Sequence, residues 1–268
     1  MILTAENYYS EEADREYISV SQFKDFAGTT GRLACEYTAM EKMAGRWKQK
    51  ETVPMLVGSY VDAWFEGTLE SFQRTHRDIF TASGDLKAPY RGAERIINRV
   101  SQDRLFMQFM GGEKQVIMTG ELFGAKWKIK MDSFIPEKAI VDLKVVKAVN
   151  GKEAYEWVRD FGYMYFALYW GYDIQGAIYQ EIVRQNTGMK LPFYLAAVSK
   201  QEEPDIEVRQ VTDNYLREAL AFVETHMQRV LAIKNGEIEP HRCELCDCCR
   251  RSKVLKWPTP IPEVPMGA

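Results

Sequence analysis

From Gln115 to Val146 hydrophobic and polar residues alternate. In Ala125 to Phe134, Lys126, Lys128, Lys130 and Asp132 point one way, and Trp127, Ile129 and Met131 point the other. A two-residue period of this kind marks a strand with one buried face. Gln115 to Leu122 precedes it, with Gly124 in the turn, and Ala139 to Val146 follows. The three runs predict a β-meander whose second turn is Pro136-Glu137-Lys138. A hairpin symmetric about Glu137 pairs Ile135 with Ala139 and sets Asp132 directly opposite Asp142. Asp142 and Lys144 are two apart and share a face.

Helical periodicity flanks the meander on both sides. Ile18 to Phe26 reads as a helix start capped by Ser21, with Asp25 in the first turns. A second helix is expected from about Arg32 to Trp47, carrying Cys35, and a third from Gly58 to Leu69. On the third, Asp62 and Glu66 are i,i+4 neighbours. Thr81 to Gly112 is expected to be irregularly helical, most clearly over Ala93 to Met110. Glu153 to Gln185 reads as a long aromatic helix broken near Gly162 or Gly171. Within it Gln175 and Tyr179 stand one turn apart beside the apolar stripe Ile174, Ile178 and Ile182, and Gly188 is a suitable stop. Phe193 to Ser199 and Ile206 to Val211 read as strands. Asp213 to Asn235 reads as a helix capped by Asp213. This order predicts a mixed α/β fold, a central mixed sheet flanked by helices. Neither repeats nor a linker interrupt it, so 1–257 is expected to be one domain. It divides into a helical part at 18–112, a core at 113–235 and a Cys-rich segment at 241–251. The Pro-rich tail 258–268 is expected to be extended.

The composition narrows the function classes. The chain has 268 residues, 46% of them hydrophobic, enough for a sizeable core. No apolar run approaches the roughly 20 residues of a membrane span, and the acidic start MILTAENYYSEEADREY is no secretory signal. A cytoplasmic protein with no membrane partner is expected. The net charge of −3 counts modestly against nucleic acid. Local basic clusters at Lys126–Lys130, Lys144–Lys147 and Arg250–Lys256 can still attract it.

The facing acids carry the candidate chemistry. Like charges opposed across a ladder, with Cβ atoms about 5 Å apart, cost stability. A divalent cation between Asp132 and Asp142 removes that cost, and hard oxygen ligands suit Mg²⁺ or Mn²⁺. Lys144, one pleat along from Asp142, is placed to act on water. A solvated surface hairpin is the alternative. His226 and His76 have no partner pattern and read as surface or core residues.

Five cysteines are present, four of them in the seven residues Cys243 to Cys249. Crowding of this kind favours a metal over disulfides in a reducing compartment. Cys35 with Cys243, Cys246 and Cys249 gives four thiolates, with Cys248 as a possible substitute for Cys249. An iron–sulfur cluster, a tetrahedral zinc and free thiols all remain open on spacing alone.

Asp132, the triplet Asp142-Leu143-Lys144, and Gln175 with Tyr179 together resemble the PD-(D/E)xK nuclease superfamily. ISVSQFKDF, LVGSYVDAWFEG, WKIKMDSFIPEKAIVDLK, GYDIQGAIYQEIV and CELCDCCR are similar to phage-type RecE-like exonucleases, over nearly all of Ile18 to Arg250. The resemblance implies a restriction-endonuclease-like core and a metal-dependent exonuclease that resects double-stranded DNA ends, 5′→3′, for annealing and recombination. It implies Mg²⁺ (or Mn²⁺) held by Asp132, Asp142 and the Leu143 carbonyl, with Lys144, Gln175 and Tyr179 as further catalytic residues. Lys126, Lys128 and Lys130 are candidate DNA-backbone contacts. Asp62 stands where many relatives have a metal-binding histidine, and is a candidate ligand in its place. A [4Fe–4S] cluster on Cys35, Cys243, Cys246 and Cys249 is implied by several end-processing relatives, although their C-x2-C-x5-C spacing is wider. A homo-oligomeric ring and a RecT-like single-strand annealing partner also follow from the resemblance, with the host cytoplasm as location if the chain is phage-encoded. The other readings are a non-cleaving DNA-end or partner-binding protein, and an endonuclease or nickase of the same fold.

Overall fold

The computed structural model describes residues 1–258 and 260; the rest of the Pro-rich tail lies outside the described residues. Seven α-helices come first among the described residues: α1 Glu11–Glu16, α2 Val20–Ala27, α3 Glu36–Met43, α4 Val53–Glu66, α5 Leu69–Thr75, α6 Gly92–Ser101 and α7 Arg104–Phe109. Strands β1 Val116–Leu122, β2 Ala125–Met131, β3 Ser133–Ile135 and β4 Ala139–Val146 follow. The hairpin β5 Tyr155–Val158 and β6 Gly162–Tyr165 leads into α8 Phe166–Tyr169 and α9 Tyr172–Thr187. The described chain ends with β7 Phe193–Ser199, β8 Ile206–Val211, α10 Asp213–Lys234 and α11 Asp247–Arg251.

The central sheet has the order β3-β4-β7-β8, with β4 and β7 parallel and the outer pairs antiparallel. Alternation along β4 sorts its residues between two cores. Ala139, Val141 and Leu143 join Ala196 and Val198 of β7 under α4 and α6. Ile140 and Val146 join Phe193, Leu195 and Ala197 under α9 and α10. Asp142 and Lys144 therefore face the α9 side. Gly176 allows that approach: a Cβ there would stand 2.5 Å from the Phe193 ring.

The expected meander is present, but the run Ala125 to Phe134 is two strands. β2 pairs with β1 through a Phe123-Gly124 turn in which both residues have positive φ, the geometry of a tight hairpin. At Asp132 the chain changes partner, and β3 pairs with β4 in the register Ser133↔Val141, Phe134↔Ile140, Ile135↔Ala139. That is the register expected from symmetry about Glu137, which sits in the left-handed region at φ 62°. β3 is only three residues long, so β4 from Asp142 onward has an uncovered edge.

Several boundaries shift. Ser19, not Ser21, caps α2, in a capping box with Gln22. Cys35 is the N-cap of the shorter α3. α4 begins at Val53, five residues before Gly58, with Pro54 in its first turn. The helix expected over Ala93 to Met110 breaks before Arg104, where Asp103 caps α7 through the Phe106 N–H at 2.8 Å. Thr212, not Asp213, precedes α10. The larger correction is Tyr155 to Tyr165, which is a hairpin and not part of a helix. Tyr155 pairs with Tyr165 and Trp157 with Tyr163, and positive φ at Asp160 and Gly162 turns the chain between them. Trp157, Phe161 and Tyr165 are also four apart, so both periods fit the aromatic pattern. Cross-strand aromatic contact decided it.

Candidate active site

The uncovered edge of β4 is where the acids meet. Asp132 stands one residue past the last β3–β4 rung, and its Oδ2 accepts a hydrogen bond from the Leu143 N–H at 2.9 Å. The carboxylate thus takes the place of a strand carbonyl and is drawn toward Asp142. Gln115 Nε2 lies 3.5 Å from its other oxygen. Asp142 is 2% exposed. Gln175, from α9, donates to its Oδ1 at 2.6 Å. The Lys144 ammonium lies against its Oδ2, which has no hydrogen bond of ordinary geometry. Asp62 reaches the same cavity from α4, on the other side of the sheet edge. Tyr179 does not face the acids with its hydroxyl; it donates to the Lys130 carbonyl at 2.9 Å and anchors β2 just before Asp132.

The electrostatics follow from crowding and burial. Burial, then the charges of Asp142 and Asp62, push the Asp132 carboxyl well above its ordinary value against the pull of Lys144. Burial pushes Asp62 up to about 7, opposed by Lys144 and reinforced by Asp142. Burial works against the Lys144 ammonium, but Asp142 overcomes it and holds the lysine charged, above its ordinary value. Acids forced into proximity, with one ammonium among them, form a donor set that a hard divalent cation fits. Asp62, Asp132 and Asp142 do not bring their oxygens within 4.8 Å of one another as a set; among the described residues only the four cysteines do so.

The cavity has a volume of about 440 Å³. Its walls include residues to which the sequence assigned no role: Tyr8, Tyr9 and Asp14 from the N-terminal segment, Lys24 from α2 and Tyr172 from α9. Lys24 donates to the Trp170 carbonyl at 3.0 Å, and Lys144 lies 4.6 Å from the centre of the Tyr172 ring. Of the three candidate DNA-contacting lysines, Lys130 lines the cavity with its ammonium over Tyr9. Lys128 is 1% exposed, and its ammonium is engaged by Asp14 at 2.6 Å and by the Tyr8 carbonyl. Lys126 lies outside the cavity and pairs with Glu16 at 3.1 Å. His226 and His76 each turn Nδ1 to a backbone carbonyl of their own helix region.

A family described as a PDDEXK-like domain of unknown function, DUF3799, matches residues 19–252. The chain belongs to this family. Among curated proteins none matches. The chain is similar to the protein of Eubacterium rectale whose crystal structure at 2.19 Å carries the name "Putative exonuclease". The two are 60% identical, with a TM-score of 0.93 over 97% of each chain. The PDDEXK-like fold accounts for the mixed sheet with helices on both faces.

The second cluster of the PDDEXK-like chain joins the start of α3, where Cys35 is the N-cap, to the segment Cys243 to Cys249. Cys35, Cys243, Cys246 and Cys249 bring their sulfurs within 4.8 Å of one another; Cys248 is buried and lies outside the set. Backbone N–H groups of Cys246 and Cys249 point at the sulfurs of Cys243 and Cys246, each at 3.4 Å. Thr38 contacts the Cys246 sulfur at 3.1 Å. Burial pushes the Cys35 thiol up, but hydrogen bonds from Thr38 and the Cys243 backbone bring it down to about 6. Convergent thiols with N–H donors suit a thiolate-bound metal. Among the described residues no helix is long and apolar enough to cross a membrane.

Proposed function

We propose that the chain is a metal-dependent DNA exonuclease that degrades one strand from double-stranded ends, 5′→3′. The observation that carries this reading is the convergence of Asp132, Asp142 and Lys144 at the open edge of β4, in a cavity also lined by Lys24 and Lys130. The name of the Eubacterium rectale relative supports the exonuclease assignment. Asp132, Asp142 and the Leu143 carbonyl would hold a divalent cation, Mg²⁺ or Mn²⁺, with Asp62 acting from farther out. When bound, such an ion supplies Lewis acidity to the phosphate and lowers the pKa of water.

The chain's own groups supply the rest. Lys144 orients the attacking water and steadies charge that develops on the phosphate. Gln175 fixes the Asp142 carboxylate, so the acid does not rotate away. Tyr179 fixes the backbone of β2 just ahead of Asp132. Lys130 and Lys24 face the cavity as candidate backbone contacts. The cysteine set would hold a resident metal. Four convergent thiolates would suit zinc, while the relatives' clusters support [4Fe–4S]. Metal analysis decides: one zinc per chain, or iron with acid-labile sulfide. A ring assembly and a single-strand annealing partner complete this reading, supported by the resemblance to RecE-like exonucleases.

The test is digestion of end-labelled linear duplex. The expected result is Mg²⁺-dependent loss of nucleotides from 5′ ends, blocked by EDTA, with covalently closed circles left intact. Cut circles would make it an endonuclease, and intact linear DNA in Mg²⁺ and Mn²⁺ would make it a binding protein.

A further inference from the structure

A second cavity, of about 670 Å³, meets the first at Asp62, Leu143, Lys144 and Tyr172. It opens beyond the carboxyl ends of the parallel strands β4 and β7, where open α/β sheets commonly receive ligands. Two ammonium groups stand there because of strand register. Val146 pairs with Ser199, so the next residues, Lys147 and Lys200, leave the sheet side by side, and the Lys200 N–H donates to the Val146 carbonyl at 2.8 Å.

The two lysines differ in their surroundings. Lys147 is exposed and has the Glu153 carboxylate at 3.9 Å. The Lys200 side chain is half-buried and makes no hydrogen bond or ion pair among the described residues. An ammonium half withdrawn from water, with only the Asp62 charge acting on it from a distance, gains by pairing with an anion that arrives from outside. The other acids of this cavity are Asp62, on the side of the first cavity, and Glu156. The same cavity has an aromatic wall of Phe166, Trp170 and Tyr172. Trp170 is held in place by the Arg32 guanidinium, 4.2 Å from its ring centre. The Lys200 ammonium and the aromatic wall at a single opening match the phosphate and the base of a nucleotide.

We propose that this second cavity holds the nucleotide released by cleavage, with its phosphate on Lys200 and its base against Trp170. This rests on the nuclease reading. The strand then enters past Tyr9 and Lys130, is cut beside Lys144, and the product leaves on the far side without retracing the strand's path.

The test is calorimetric binding of a deoxynucleoside 5′-monophosphate to the full chain in EDTA, where no cutting occurs. The wild type is expected to bind the monophosphate about tenfold more tightly than the matching deoxynucleoside, as one charge-assisted contact warrants. Lys200→Met should erase that difference and Lys200→Arg should restore it. Equal binding of the monophosphate and the deoxynucleoside would overturn the proposal. So would unchanged monophosphate binding in Lys200→Met, or inorganic phosphate competing as well as the nucleotide. A chain that cuts linear duplex yet fails this binding test refutes the product site alone. One that binds as expected yet leaves duplex uncut refutes the nuclease reading instead.

Discussion

Asp132 and Asp142 meet across a single hairpin, whereas Cys35 and Cys249 are 214 residues apart and meet, sulfur to sulfur, at 3.5 Å. Both are metal-type donor sets, but the chain assembles them by opposite means. Three β-rungs and the Leu143 N–H position the acids, so their geometry belongs to the sheet and stands without any ion. Nothing comparable holds the cysteines. The loop containing Cys243 to Cys249 lies against α3 through sulfurs, the Thr38 hydroxyl, the Arg242 guanidinium 4.1 Å from the Tyr37 ring centre, the His241 N–H with Glu36 at 2.7 Å and the Tyr37 N–H to the His241 carbonyl. The first set should therefore control rate, and the second should control stability.

Variants sharpen this contrast, and the largest effect is expected at Lys144. Lys144→Ala should lower the single-turnover cleavage rate by at least about 10³-fold, the scale on which a lost transition-state contact acts. Duplex affinity, measured by gel shift in Ca²⁺, should stay near the wild-type value. Cleavage at the wild-type rate would remove Lys144 from the chemistry. Next in size is Cys35→Ala. With the proposed metal bound, losing this crosslink around so long a loop costs on the order of 5 kcal/mol, a fall in Tm of about 10 °C or more for a chain of this size. The cleavage rate of the molecules still folded should be unchanged. A large rate loss with an unchanged Tm would invert the comparison.

Asp173 gives a smaller and pH-dependent effect. It lies in the first turn of α9 with one carboxylate oxygen unpartnered. Burial raises its pKa to about 6, against the lowering effect of backbone N–H groups and Lys24. Between its ordinary value, about 4, and about 6 the folded chain binds more protons than the unfolded one. Stability therefore falls as pH rises through that window and stays lower above it. Asp173→Asn should remove the slope and stabilise the fold at pH 7 by about 1–2 kcal/mol, under the roughly 3 kcal/mol that the full shift represents. Urea melts at pH 4 and pH 7 check it: equal stabilisation at both would refute the assignment. The smallest effect is expected from Lys126→Ala. That residue is exposed and paired with Glu16, and such pairs contribute little. Its removal should leave both Tm and duplex affinity within error, whereas Lys130→Ala should weaken DNA binding and flatten its salt dependence by about one charge.

The sheet-borne part of the site was legible because a period of two fixes faces and a symmetric turn fixes register. β4, β7 and β8 coincide with the runs read from alternation, and the Ile135↔Ala139 pairing follows from Glu137. Cys243, Cys246 and Cys249 were legible by type and crowding, whereas Cys35 was legible only as a further cysteine far upstream. Other features had no local signal. The switch of partner at Asp132 cannot be seen in a run whose alternation continues through it. Tyr8 and Tyr9 close the cavity by contacts made about 120 residues away in the chain, Tyr8 touching Lys128. Lys128 reads as outward from its polar neighbours, yet Asp14 draws it inward. At Tyr155 to Tyr165 two periods fit the same aromatics, and only packing chose between them.

The change of partner at Asp132 separates what the chain can vary from what it must keep. Residues added to the Phe123-Gly124 end of the β1–β2 ribbon would lengthen the ribbon and leave the β3–β4 rungs in phase. A single residue added between Ile135 and Ala139 would slip those rungs by one and turn one acid of the pair away from the other. Two hairpins adjacent in the chain thus have opposite tolerances: one is free to change its reach, and the other counts out the spacing on which the chemistry depends.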